Sequence, residues 1–314
     1  MLLDIRVRKM IIWLVSGTFL AIILIMMMFK LITYNPEGQI SDLDKAIPYG
    51  ELISWDAVNK IFPKYATATV IDFDTGVQFQ VQRRGGYNHV DVQPLTADDT
   101  AIMKNIYEGK WAWNRKAVII QLKNGQRIAA SMNGMPHGQG AIEKNNFDGH
   151  FCIHFKDSKT HGSKKVDLAH QMMIWKAANV LDQQLEALTP AEIIAVFFTA
   201  VDQHELNIAA KLIDSDVDIE PLLKNLDNIV NIKADNIRNI TGNTFNVNLS
   251  VIFNDSNREF RKNIVITTTA QKTYWQIEAN SINPLLDKRS WASFQSISNN
   301  PLEGEDWEIE VNGE

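Results

Sequence analysis

The chain has 314 residues, 45% hydrophobic and 22% charged, which suits a mostly globular protein of two domains and excludes wholesale disorder. Its net charge of −6 argues against nucleic acid as the main partner, because phosphate binding needs a basic surface. The single cysteine, Cys152, excludes an intramolecular disulfide and any CxxC zinc pattern.

The stretch from Met10 to Phe29 is uncharged. A helix of that length, at about 1.5 Å per residue, spans roughly 30 Å, the thickness of a bilayer core. Arg6, Arg8 and Lys9 precede it, and Glu37, Asp42 and Asp44 follow. The pattern predicts a cytoplasmic tail over 1–9 and a single-pass signal anchor in the cell membrane over 10–33, with the lipid bilayer as its partner. The C-terminal domains are then extracytoplasmic. Residues 34–50 read as a polar linker.

A β-rich, histidine-containing domain is predicted over 51–187. "ATATVIDF" and "VQFQVQRR" flank a turn at Asp74–Gly76, and "AVIIQL" and "RIAASM" flank Asn124-Gly125, so both pairs read as hairpins. Between them, Thr96 as N-cap and Asp99 in the first turn open a helix that ends at Gly109. "GHFCIHF" reads as a later strand. "VDLAHQMMIWKAANVL" is apolar at helical spacing and reads as one helix.

A second domain is predicted over 188–282. Thr189, Pro190 and Glu192 form a capping-box start, a short helix "ELNIAAKLI" follows, and then long alternating runs such as "TFNVNLSVIF". Helices followed by antiparallel strands imply an α+β class. This region resembles the nuclear-transport-factor-2-like cone fold, which implies a binding or spacing module. Residues 283–314 read as an acidic tail. The expected fold class is therefore α+β: a transmembrane helix, a β-rich α+β domain and a cone-like α+β domain.

The chemistry concentrates in the first domain. Of seven histidines, His89, His137, His150, His154, His161 and His170 lie there. As a strand, "GHFCIHF" places His150, Cys152 and His154 on one face and Phe151, Ile153 and Phe155 on the other. Nearby imidazolium lowers a thiol's pKa and creates a thiolate nucleophile. The base must come from another segment, and His137 is the candidate. "KWAWNR" offers Trp113 as an aromatic face for a sugar ring, or as a core edge.

"HGQGAIEKNNFDGHFCIH" resembles the L,D-transpeptidase motif, a His-Gly pair, a spacer, and a histidine two residues before a cysteine. Gly149, Phe151 and His154 stand where that family carries serine or threonine, glycine, and arginine or asparagine. The resemblance implies Cys152 as nucleophile, His137 as base and His150 as the histidine before the nucleophile, with peptidoglycan stem peptide as partner and no cofactor. His154, His89, Asp91, His161 and Trp113 are the expected substrate-binding residues. The wider stretch 66–175 resembles a bacterial envelope family that carries no activity over. Two other readings stay open. One pair from 150, 152 and 154 could ligate zinc with His89, Asp91, His137 or His161, giving a metal-dependent hydrolase. Alternatively, Cys152 is a small buried hydrophobe in a non-catalytic envelope binding or signalling module.

Overall fold

The computed structural model describes residues 49–214, 218, 220–221, 224, 229–253, 258–286 and 295–297. The predicted span at 10–33 lies outside the described residues, as do most of the linker and most of the acidic tail.

After helix α1 (Trp55–Ile61) come strands β1 (Thr67–Asp72), β2 (Gln78–Gly85) and β3 (Val90–Pro94), and helix α2 (Ala97–Ile106). Strands β4 (Lys116–Leu122), β5 (Arg127–Met132) and β6 (Phe151–His154) follow. These six strands close into a barrel in the order β1-β2-β3-β6-β5-β4, every neighbour antiparallel. The interior is apolar, with Val70, Phe79, Val81, Val92, Val118, Ile120, Ile128, Phe151 and Ile153 all buried. Trp55, Val58 and Phe62 of the α1 region and Met103 and Tyr107 from α2 and its end complete it. In α2 the Thr96 hydroxyl accepts from the Asp99 amide while the Asp99 carboxylate accepts from the Thr96 amide, a reciprocal cap.

Helices α3 (Leu168–Ala177) and α4 (Leu181–Glu186) lead to α5 (Pro190–Asp202) and α6 (Leu206–Lys211). The single helix expected from 166 to 181 is thus two, because Asn179 turns left-handed, with φ of 56°. Helix α3 packs on β4 and β5. Those strands are consequently buried on both faces rather than alternating. Strands β7 (Ile229–Thr241), β8 (Thr244–Phe253), β9 (Glu259–Ala270) and β10 (Trp275–Ile277) form an open antiparallel sheet. Helix α5 packs on β7, helix α7 (Ala279–Leu286) packs on β9, and β11 (Gln295–Ile297) pairs with β9.

This corrects the expected fold class. The described α+β structure is a closed six-stranded barrel followed by helices and an open sheet, and none of its helices is long and apolar enough to cross a membrane. The β-rich region was expected as separate hairpins. Closure comes from the pairings β1–β4 and β3–β6, which join residues far apart in sequence and leave no local signal.

The two regions are bound together by polar contacts at the start of β4. The Arg115 amide donates to Gln203 Oε1 at 2.6 Å, and its guanidinium donates to Asp167 Oδ2 at 2.9 Å. Asp167 also caps α3 by accepting from the His170 amide at 2.7 Å.

Candidate metal centre

Strand β6 points Phe151 and Ile153 into the barrel, and Phe155 just after it is buried in the same core. The opposite face carries Cys152 and His154 outward, beneath the segments 133–150 and 155–166. On neighbouring β3, Asp91 pairs directly with Cys152. Two glycines bring His137 against this strand. An isolated antiparallel bridge joins His137 and His150, whose amides and carbonyls exchange hydrogen bonds at 2.9 and 2.8 Å. Gly149 has φ of 104°, and a Cβ there would lie 2.4 Å from the His137 carbonyl oxygen. Gly138 has φ of 62°, and a Cβ there would lie 2.4 Å from the His150 ring. No other residue type fits either place without moving a histidine.

Side chains pin the rest of the segment. Gln93 Oε1 accepts from the amides of Ala141 and Ile142 at 2.7 and 3.0 Å. Asn145 Nδ2 donates to the Pro94 carbonyl at 2.8 Å, and the Thr100 hydroxyl donates to the Asn145 carbonyl at 2.6 Å.

Six donors meet at this rim. Cys152 Sγ lies 3.2 Å from His137 Nε2 and 4.0 Å from Asp91 Oδ1. Asp91 Oδ1 lies 3.2 Å from His161 Nε2, 3.3 Å from His89 Nε2 and 3.9 Å from His150 Nε2. His89 Nε2 and His161 Nε2 are 2.9 Å apart. The donor atoms of His137, His150, Cys152 and His161 all lie within 4.8 Å of one another, and so do those of His89, Asp91, Cys152 and His161. These groups are close enough to bind a metal ion.

The imidazoles are oriented for ligation. His89 Nδ1 lies 2.7 Å from the Lys159 carbonyl, His137 Nδ1 2.9 Å from the Met135 carbonyl, and His150 Nδ1 3.1 Å from the Gln139 carbonyl. A carbonyl oxygen only accepts, so each ring carries its proton on Nδ1 and, when neutral, turns an Nε2 lone pair toward the cluster. His150 Nε2 has no hydrogen-bond partner. This outer support is the pattern that fixes histidine ligands in metal sites. Burial, only partly opposed by the Met135 contact, lowers the His137 pKa and favours the neutral ring. Burial opposes ionisation of Asp91, but hydrogen bonds from His161 and His89 in their protonated form outweigh this and hold the carboxyl well below the usual carboxylate range.

Access is one-sided. Cys152 is 3% exposed, whereas the His161 side chain is 52% exposed. Trp113 stands beside His137, its ring centroid 5.2 Å away, and is 38% exposed.

Of the predicted site residues, His137, His150, Cys152, His89, Asp91 and His161 therefore share one cluster, with Trp113 at its edge. His154 stands apart. It is buried and stacked between His89 at 4.3 Å and His170 at 3.7 Å, and His170 Nδ1 meets the Ser131 hydroxyl at 2.9 Å. Burial first, then the neighbouring His170, His89 and Arg115, lowers the His154 pKa far below normal, so it sits behind the cluster as a neutral ring. Sequence reasoning missed Gln93 and the carbonyls of Met135, Gln139 and Lys159. The carbonyls have no sequence signal. Gln93 is two residues from Asp91 on the same strand, so period-2 alternation places it on the same face.

The chain matches no protein-family model and no curated protein.

Proposed function

We propose that the rim cluster binds a zinc-class divalent cation and that the protein is a metal-dependent hydrolase acting on a carbonyl substrate. The observation that supports this reading is the shared orientation of His89, His137 and His150. Three rings each spend Nδ1 on a backbone carbonyl, and Nε2 faces Cys152 in His137 and Asp91 in His89 and His150. Neutral Nε2 lone pairs facing a carboxylate oxygen repel one another unless a proton or cation lies between them. Imidazole, thiolate and carboxylate together are zinc ligands. A bound zinc ion supplies Lewis acidity and lowers the pKa of a coordinated water toward neutrality. In this reading Asp91 and Cys152 neutralise charge, the histidines fix the geometry, exposed His161 marks the open side, and Trp113 flanks the approach of the substrate.

Zinc titration of the metal-free protein, followed by native mass spectrometry, tests this. Retained zinc that survives desalting is expected, and its retention should fail in Cys152→Ala combined with His137→Ala. Wild-type protein that retains no metal would contradict the reading.

A second reading is favoured by one contact, the 3.2 Å between His137 Nε2 and Cys152 Sγ, with Met135 orienting the ring. There His137 takes the thiol proton, the thiolate attacks a stem-peptide carbonyl, the C–N bond breaks as His137 returns the proton to the leaving amine, and an acceptor amine then takes the acyl group from the thioester, in L,D-transpeptidase-like acyl transfer. A chelator separates the two. It should abolish turnover under the metal reading and leave turnover intact under the thiol reading.

A further inference from the structure

We propose that the rim holds two divalent cations rather than one. The inference rests on the metal reading above and adds stoichiometry and a substrate preference to it.

The donor count is the first argument. A zinc ion in a protein takes about four ligands. This rim offers six, and they fall into two overlapping quartets, His137, His150, Cys152 and His161 on one side and His89, Asp91, Cys152 and His161 on the other. His137 and His150 belong only to the first quartet, and His89 and Asp91 only to the second. Cys152 and His161 lie between the two. A thiolate can bridge two ions, and Cys152 is placed to do so, 3.2 Å from His137 Nε2 on one side and 4.0 Å from Asp91 Oδ1 on the other. Ligands about 2.0–2.3 Å from a tetrahedral ion stand roughly 3.3–3.8 Å from one another. The spacings around Asp91, 3.2 Å to His161 and 3.3 Å to His89, are already close to that range.

The outer shell is the second argument. Each half has its own support, from separate segments. Met135 and Gln139 carbonyls hold His137 and His150, whereas the Lys159 carbonyl holds His89. A single four-ligand site would leave either His89, or His137 and His150 together, without a cation to face.

Charge gives the substrate class. Four neutral imidazoles, one thiolate and one carboxylate bring two negative charges against the four positive charges of two divalent ions. The excess positive charge would favour a bound hydroxide and a substrate carbonyl oxygen that gains negative charge, as in amide or ester hydrolysis. The exposed His161 edge places that oxygen on the solvent side.

The test counts ions in the full-length protein loaded with zinc, by native mass spectrometry and by elemental analysis of the same sample. Two ions per chain are expected. His137→Ala with His150→Ala should keep one ion, and His89→Ala with Asp91→Ala should also keep one. Cobalt(II) is the second probe and needs no variant. At two equivalents the paired ions should couple, so the electron paramagnetic resonance signal should fall short of twice that at one equivalent. One zinc per chain in the wild type, or loss of all metal from either double variant that still folds by circular dichroism, would overturn the proposal. A cobalt signal that simply doubles would overturn it too. One ion would leave the hydrolase reading standing, whereas none would remove both.

Discussion

Two polar clusters lie on strands of this protein, and they are built on opposite principles. On the open sheet, Ser250 donates toward Asp235 and Glu259, and each carboxylate has its own cation, Lys233 at 2.9 Å from Asp235 and Arg261 at 2.6 Å from Glu259. Charge is balanced within the cluster. On the barrel rim the nearest partners of Asp91 are the imidazoles of His161, His89 and His150, at 3.2 to 3.9 Å, with the charge of Arg83 acting on it through space, and backbone carbonyls already hold His89 and His150. The first arrangement is complete as it stands. The second is complete only with a proton or a cation added. Concentration of donors is common to both, and what distinguishes a ligand site is several imidazole donors held by backbone carbonyls and aimed at one place.

The largest expected effect sharpens that contrast with a buried pair that is balanced. Arg115 and Asp167 are 7% and 4% exposed at the side chain. Arg115→Ala leaves the Asp167 carboxylate buried and unpaired, at a cost of about 3–5 kcal/mol. Chemical denaturation should show this loss, and added zinc should restore none of the lost contact. A cost under about 1 kcal/mol would mean the junction is not held by this pair.

Next in size is acid sensitivity. Burial depresses the pKa values of His154 and His170 well below the ordinary histidine value. The unfolded chain takes up protons near pH 6.5 that the folded chain refuses. Their stabilisation is therefore full above about pH 6.5 and is lost as pH falls below it, at up to about 1.4 kcal/mol per pH unit for each ring. Urea melts between pH 7 and 5 should show the decline, and His170→Gln should reduce its slope. A flat profile would contradict the neutral stack.

The smallest effect belongs to the sheet cluster. Asp235→Asn should change stability by less than about 1 kcal/mol, because Asp235 is a partly exposed ion-pair member. Zinc uptake should be unchanged. Altered uptake would break the division between the clusters.

Much of the local structure was legible in the sequence. The hairpin turns at Gly76 and Gly125 both use the positive φ that only glycine adopts cheaply, at 71° and 87°. The capping boxes at Thr96–Asp99 and Thr189–Glu192 start helices because each satisfies amides on both sides. The two-faced reading of β6 also followed from alternation alone. Closure of the barrel did not. Strand β3 was hidden because it follows the Gly-Gly-Tyr-Asn turn, and its partner β6 lies about sixty residues further on. The site was legible as a set of residue types, since histidines crowd residues 89–170. Its assembly depended on Gly138 and Gly149 folding one segment back onto β6, and on carbonyls that no side-chain pattern reports.

The central claim is that Cys152 serves as a metal ligand beside the rim histidines. Cobalt(II) titration followed by near-ultraviolet absorption tests it most directly, because a thiolate bound to cobalt gives an intense charge-transfer band that imidazole and carboxylate ligands do not. Ligation through Cys152 predicts that band in the wild-type protein, its loss in Cys152→Ser, and its displacement by zinc. Cobalt binding with no such band, or a band that persists in Cys152→Ser, would contradict it.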